Sequence, residues 1–171
     1  MDEHQLHDRV AIVTGGSRGI GRAVVLVICR QGADCAFTYT SHQEAAAALA
    51  AEVRQLGRRA LPIRLDVRDY DGAKAMIEQV KSEFGRLDIL VANAGVGAYG
   101  PFLELDPEHL DEMIDVNVKG TIYALRATLP HLLKSDGADF VTIASEAGRR
   151  GLPLEAVYCA SKFGQVGFTR A

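Results

Sequence analysis

From Arg9 onward the chain alternates short apolar runs with longer segments whose apolar residues recur at helical spacing. That alternation commits it to an α/β architecture, because a strand, a helix and a second strand join most simply as a parallel pair with the helix packed over the crossover. Strands are expected at residues 10–14, 35–39, 60–65, 88–92 and 140–144. The first helix is expected over 20–31, with Ile20, Ala23, Val24, Val27 and Ile28 as its inward stripe and Gly32 as its stop. Ser41-His42-Gln43-Glu44 has the spacing of a capping box opening an alanine-rich second helix that ends at Gly57. Ala73, Met76, Ile77, Val80 and Phe84 stripe the third helix. Asp106 and Pro107 suit the start of a long fourth helix running to Leu133, and a last helix begins near Leu154. Residues 1–171 therefore read as one domain around a doubly wound parallel sheet.

Nearly half of the residues are apolar, enough for one sizeable core. A formal charge of −3 provides neither the basic excess of a nucleic-acid binder nor a charged run for a membrane surface, so neither partner is expected. The first residues carry no apolar core of a signal peptide, and a cytoplasmic location is the expectation. Cys29, Cys35 and Cys159 have no close pairing, so they are expected to be reduced, partly buried thiols. The five histidines show no firm ligand spacing, and no metal is expected.

Gly15-Gly16-Ser17-Arg18-Gly19-Ile20-Gly21 sits where the first strand hands over to a helix, so backbone N–H groups and the positive helix end converge on a point that suits a phosphate. Gly15 permits a tight turn, Gly19 lets the backbone approach a pyrophosphate and Gly21 lets helix and strand pack closely. A ligand-free glycine turn is the plainer alternative for such a triplet taken alone.

Thr14 to Gly21 (TGGSRGIG), Asn93-Ala94-Gly95, Asn117, Ser145 and Tyr158-x3-Lys162, in this order and each on its expected strand end or helix, resemble the short-chain dehydrogenase/reductase family from about Arg9 to Ala171. The resemblance implies a Rossmann-type NAD(P)-binding domain and hydride transfer between a nicotinamide and a small carbonyl or alcohol substrate. Reducing a carbonyl requires a hydride on carbon and a proton on oxygen, and Tyr158 is the candidate acid. A phenol titrates near ~10, so a neighbour must stabilise its phenolate; Lys162, four residues on, shares a helical face with it. The resemblance adds a second role for Lys162, on the nicotinamide ribose. It also implies that Ser145 holds the substrate oxygen, that Asn117 joins a water-linked proton relay, and that Ser17 and Ile20 belong to the cofactor turn. Asp66 and Val67 are implied to contact the adenine, and Asn93, Ala94 and Gly95 to floor the cofactor site. Taken singly, Tyr158 and Lys162 also fit an amphipathic pair, Ser145 a strand-end cap, Asn117 a helix kink and Asp66 a helix cap. Arg149 and Arg150 read as a solvated loop.

The second strand ends Tyr39-Thr40-Ser41-His42, with no acid to hold a ribose 2′-hydroxyl or repel a 2′-phosphate, and Arg18 is available to pair with one. NADP(H) is expected over NAD(H), with Thr40 and Ser41 beside the ribose; Glu44 counts against this unless the capping box turns it away. Phe163, Val166, Gly167 and Phe168 still read as a helix in progress at the last residue, so the expectation is a fragment whose sheet is incomplete at its C-terminal edge and whose complete form is a homo-oligomer. General features resemble the 3-oxoacyl-(acyl-carrier-protein) reductases without selecting a substrate. Two other classes stay open, a truncated dinucleotide-binding or assembly module without turnover and a methyltransferase, the latter leaving Tyr158 and Lys162 without a task.

Overall fold

The structure, a computed structural model, describes residues 5–171. Five parallel strands, β1 (Val10–Val13), β2 (Asp34–Tyr39), β3 (Ala60–Arg64), β4 (Ile89–Ala92) and β5 (Asp139–Thr142), lie in the order β3-β2-β1-β4-β5. The helices are α1 (Gly19–Arg30), α2 (Gln43–Gln55), α3 (Tyr70–Phe84), α4 (Pro107–Met113), α5 (Gly120–Leu132) and α6 (Ala156–Arg170). Alternate residues of β1 enter two separate cores. Val10 and Ile12 pack with Met76, Val80 and Ala124 from α3 and α5, whereas Ala11 and Val13 pack with Val25, Leu49 and Val53 from α1 and α2. A central strand buried on both faces must be apolar throughout, which is why β1 and β4 read as unbroken apolar runs. This is the doubly wound Rossmann-type arrangement expected. β5 is the outer strand beyond β4, and its Asp139 and Val141 are exposed.

Four local expectations are corrected. The buried face of α1 is Gly21, Val25, Leu26, Ile28 and Cys29, while Ile20 is 64% and Val27 56% exposed. Residues 23–29 are wholly apolar, so periodicity could not select the face; the close approach of Gly21 to the preceding turn sets the helix's rotation. The capping box does not form: His42 is the N-cap of α2 without a side-chain cap bond, and the Ser41 hydroxyl pairs instead with His42 Nδ1 at 2.8 Å. The expected long fourth helix is continuous in space but changes winding, with a π-helical segment at Ile114–Lys119 between α4 and α5. All three cysteines, expected to be partly buried, are free and buried in the core. Asp106 does cap α4, accepting from Glu108 N, and the predicted stripe of α3 is buried. The last helix starts at Ala156, because Leu154 takes a left-handed φ of 65° while its carbonyl accepts from Gly100 N.

Buried carboxylates fasten the amino-terminal edge of the sheet. Asp34 accepts from Arg58, the Arg59 N–H and the Arg59 side chain. Asp88 accepts from Arg86, Ser135 and Val10 N. Burial alone pushes both carboxyls up, but these hydrogen bonds and the arginine charges outweigh it and hold both below the ordinary 3.8. A depressed folded-state value gives stability that is complete above the unfolded value and is lost as pH falls through the folded one. The thermal unfolding midpoint is therefore expected to fall on acidification below about pH 4. Asp88→Asn is expected to cost about 1–3 kcal/mol at neutral pH and to flatten that acid dependence, both measurable by thermal melts across pH.

Candidate active site

At the carboxyl ends of the strands, the turn after β1 is pinned from both sides. Thr14 Oγ1 accepts from the N–H groups of Asn93 and Ala94, each at 3.0 Å, and Asn93 Nδ2 donates to the carbonyls of Thr14 and Gly15. From β2, Thr38 Oγ1 accepts from Gly15 N and the Thr38 carbonyl from Gly16 N. Gly15 and Gly19 have φ of 64° and 54°, and a Cβ on Gly19 would meet no atom within 4 Å. A Cβ on Gly21 would instead overlap the Gly15 carbonyl oxygen and come within 2.5 Å of Asn93 Nδ2. Arg18, the N-cap of α1, makes no side-chain cap bond, so the first N–H groups of this helix face the open space beside Gly19. An uncapped helix end above an unobstructed glycine fits an anion.

This turn, Tyr158 and Lys162 line one cleft of about 780 Å³. Gly15, Ser17, Arg18, Gly19, Ile20, Gly21, Thr40, Ser41, Asp66, Val67, Asn93, Ala94 and Gly95 all line it. So do residues that were not singled out in the sequence, including Thr38, Arg68, Tyr99 and Glu112. Asp66 is paired with Arg68 at 2.6 Å, whose hydrogen bonds hold its carboxyl below the usual value. Glu44 is exposed and does not line the cleft.

Two of the four candidate catalytic residues, the buried Asn117 and the half-buried Ser145, are not among the residues lining the cleft. Asn117 is fully buried in the π-helical segment; its Nδ2 donates to the Val96 carbonyl and Ser161 Oγ, and its Oδ1 accepts from Val96 N. Both amide donors are thus used, one on the loop that follows Gly95 and one on Ser161 of α6. Ser145 follows β5, and its Oγ accepts from Ala147 N at 3.2 Å, capping a 3-10 turn and leaving its own proton free.

Lys162 is 4% exposed, and its ammonium lies 5.6 Å from the centre of the Tyr158 ring. It donates to the Ile143 carbonyl at 3.2 Å and to Gln165 Oε1 at 2.8 Å. Burial, with no carboxylate to offset it, pulls its pKa down to about 8. Tyr99 stands edge-on to Tyr158, ring centres 5.5 Å apart, and burial followed by the neighbouring Tyr158 and Glu155 raises its phenol above the usual value. Nothing in the sequence marks Tyr99, which lies on an irregular loop.

The sequence profile of the short chain dehydrogenases matches residues 9–171. The chain belongs to the short-chain dehydrogenase family. It is 35% identical over 94% of its length to the 3-oxoacyl-(acyl-carrier-protein) reductase FabG of Staphylococcus aureus, and spans 65% of that enzyme's length. A short chain dehydrogenase from Burkholderia cenocepacia, solved in complex with NADP, superposes with a TM-score of 0.92 at 37% identity, over 98% of this chain and 68% of that one. Carveol dehydrogenase from Mycobacterium avium, solved with NAD, superposes with a TM-score of 0.92 at 31% identity, over 98% of this chain and 65% of that one. Among the described residues, no helix is long and apolar enough to cross a membrane. For this family member, Gly21→Ala is expected to cost roughly 1–3 kcal/mol in thermal or denaturant unfolding, because the turn it meets is itself pinned and cannot yield. Gly19→Ala meets no atom, so its cost is confined to the left-handed backbone, about 1–2 kcal/mol.

Proposed function

We propose that the cleft binds a nicotinamide dinucleotide and that Tyr158 exchanges a proton with a carbonyl or alcohol oxygen during hydride transfer. The observation that carries this reading is that Tyr158 and Lys162 line the same cleft as an uncapped helix terminus at a glycine turn. Bound there, the cofactor supplies or takes the hydride. The α1 terminus and Gly19 hold its pyrophosphate, Asp66 and Val67 its adenine side, and Asn93, Ala94 and Gly95 the floor. Tyr158 donates its phenolic proton to the substrate oxygen in reduction and takes it back in oxidation. The Lys162 ammonium, charged below about pH 8, favours the phenolate through space and reaches the ribose hydroxyls with its remaining N–H. Ser145 holds the substrate oxygen with its free hydroxyl proton. A relay at Asn117 runs through its backbone carbonyl, since its amide donors are committed. The substrate is a small carbonyl or alcohol compound, with 3-oxoacyl thioesters the first class to assay.

NADP(H) is the proposed cofactor in preference to NAD(H). Arg18, Ser41 and His42 all line the cleft and would be available to a 2′-phosphate, and Glu44, the acid that counted against this, is not among the lining residues. Fluorescence titration is expected to give tighter binding of NADPH than NADH by about tenfold, with Arg18→Ala removing most of the difference. Equal or reversed affinities overturn the preference, and failure of both dinucleotides to bind overturns the site. Where NADPH-dependent ketone reduction is measured, Tyr158→Phe is expected to lower turnover at least about 100-fold and leave NADPH affinity within about twofold. Undiminished turnover removes Tyr158 from the chemistry.

A further inference from the structure

Gln165 is an amide in a place where the pattern of α6 calls for an apolar side chain: it is 1% exposed and ranks among the largest fully buried side chains. Its hydrogen bonds leave no freedom in how it is oriented. The Lys162 ammonium can only donate, so the atom facing it at 2.8 Å must be Oε1. At the other end Nε2 donates to Thr121 Oγ1 at 2.8 Å, and Thr121 spends its single proton on the Asn117 carbonyl at 2.7 Å. A directed chain therefore runs from Lys162 through Gln165 and Thr121 to the backbone of the π-helical segment. Its polarity at each link agrees with that at the next.

We infer that Gln165 is a positioning residue for Lys162, anchoring its ammonium beside Tyr158 through a bridge from α6 to α5 and the π-helical segment. Its functional meaning rests on the dinucleotide reading above. Without Gln165, the ammonium keeps one acceptor among the described residues, the Ile143 carbonyl at 3.2 Å. A buried ammonium short of acceptors either discharges or swings toward water. The groups nearest to it are otherwise uncharged at neutral pH: Tyr158 on its own helix, Thr121 and Asn117 across from it, and the Ile143 carbonyl after β5; the other charged residues lining the cleft are Glu112, Arg18 and the Asp66–Arg68 pair. An amide keeps Lys162 charged near neutrality without the tight hold of a carboxylate.

The test is trace acetylation of the 171-residue chain with acetic anhydride across pH, without dinucleotide, read by mass spectrometry on the peptide carrying Lys162. NADPH titration at neutral pH runs beside it. Lys162 is expected to titrate near 8 in the parent chain. Gln165→Met, close in shape and without an acceptor, is expected to lower that midpoint by about one pH unit and weaken NADPH binding about threefold or more. Gln165→Glu, which restores an acceptor and adds charge, is expected to raise it by about one pH unit or more. If Gln165→Met fails to fold, the comparison of parent with Gln165→Glu decides. Identical Lys162 midpoints in the folded variants, with only the unfolding temperature altered, overturn the inference and leave Gln165 as a core amide. If the midpoints shift in the expected order and the parent chain binds no dinucleotide, the positioning role stands and the proposed function falls.

Discussion

Because β1 lies at the centre of the sheet with β2 on one side and β4 on the other, the chain leaves β1 in one direction and returns past it in the other. The two crossovers diverge at the carboxyl end of β1 and open a crevice there, which is where ligands bind in open sheets of this kind. The contacts that give the crevice its shape are the reciprocal bonds between Thr14 and the Asn93-Ala94 turn. They tie the ends of β1 and β4 together at a fixed spacing. Everything further out in the cleft is placed relative to that clasp.

The two ends of the sheet handle charge in opposite ways. At the amino-terminal edge, Asp34 and Asp88 are buried but fully bonded and held ionised, so they lock strands and connecting loops together. At the carboxyl edge, the buried charge is Lys162, which has no carboxylate partner and is satisfied by neutral acceptors. An ion pair there would neutralise the field that the neighbouring phenol senses. Stability is thus concentrated away from the cleft, while the cleft keeps an ammonium near its own titration range.

Much of the fold was legible in the sequence because its strands are short, apolar and separated by strong turn signals, and because Ala73, Met76, Ile77, Val80 and Phe84 mark one face without ambiguity. The face of α1 was not legible, since every residue from 23 to 29 is apolar and the deciding contact is made by a glycine. The capping box failed because spacing alone does not say where a hydroxyl points; Ser41 turned to its neighbour's imidazole. For the site, the glycine turn and the Tyr158-Lys162 pair were visible as motifs, and the structure draws them to one cleft. Gln165 could have been found from a glutamine on the buried side of α6, three residues after Lys162. Tyr99 carried no such mark, since a loop has no periodicity.

The π-helical segment at Ile114–Lys119 shifts the phase of one helix relative to the other. A wider turn absorbs a residue that an α-helix would have used to rotate the chain by about 100°. Met113 can therefore receive the Ala98 N–H on one side of it, while Ala124 and Ala127 pack beneath the sheet on the other. Removing a single residue from this stretch would yield a more regular helix and a ruined cleft floor, because Asn117 could no longer meet Val96 without turning α5 off the sheet. The stretch is consequently constrained in its length before its letters: an exposed side chain there can be exchanged without moving either helix, whereas an in-frame deletion would be as disruptive as losing the amide of Asn117 itself.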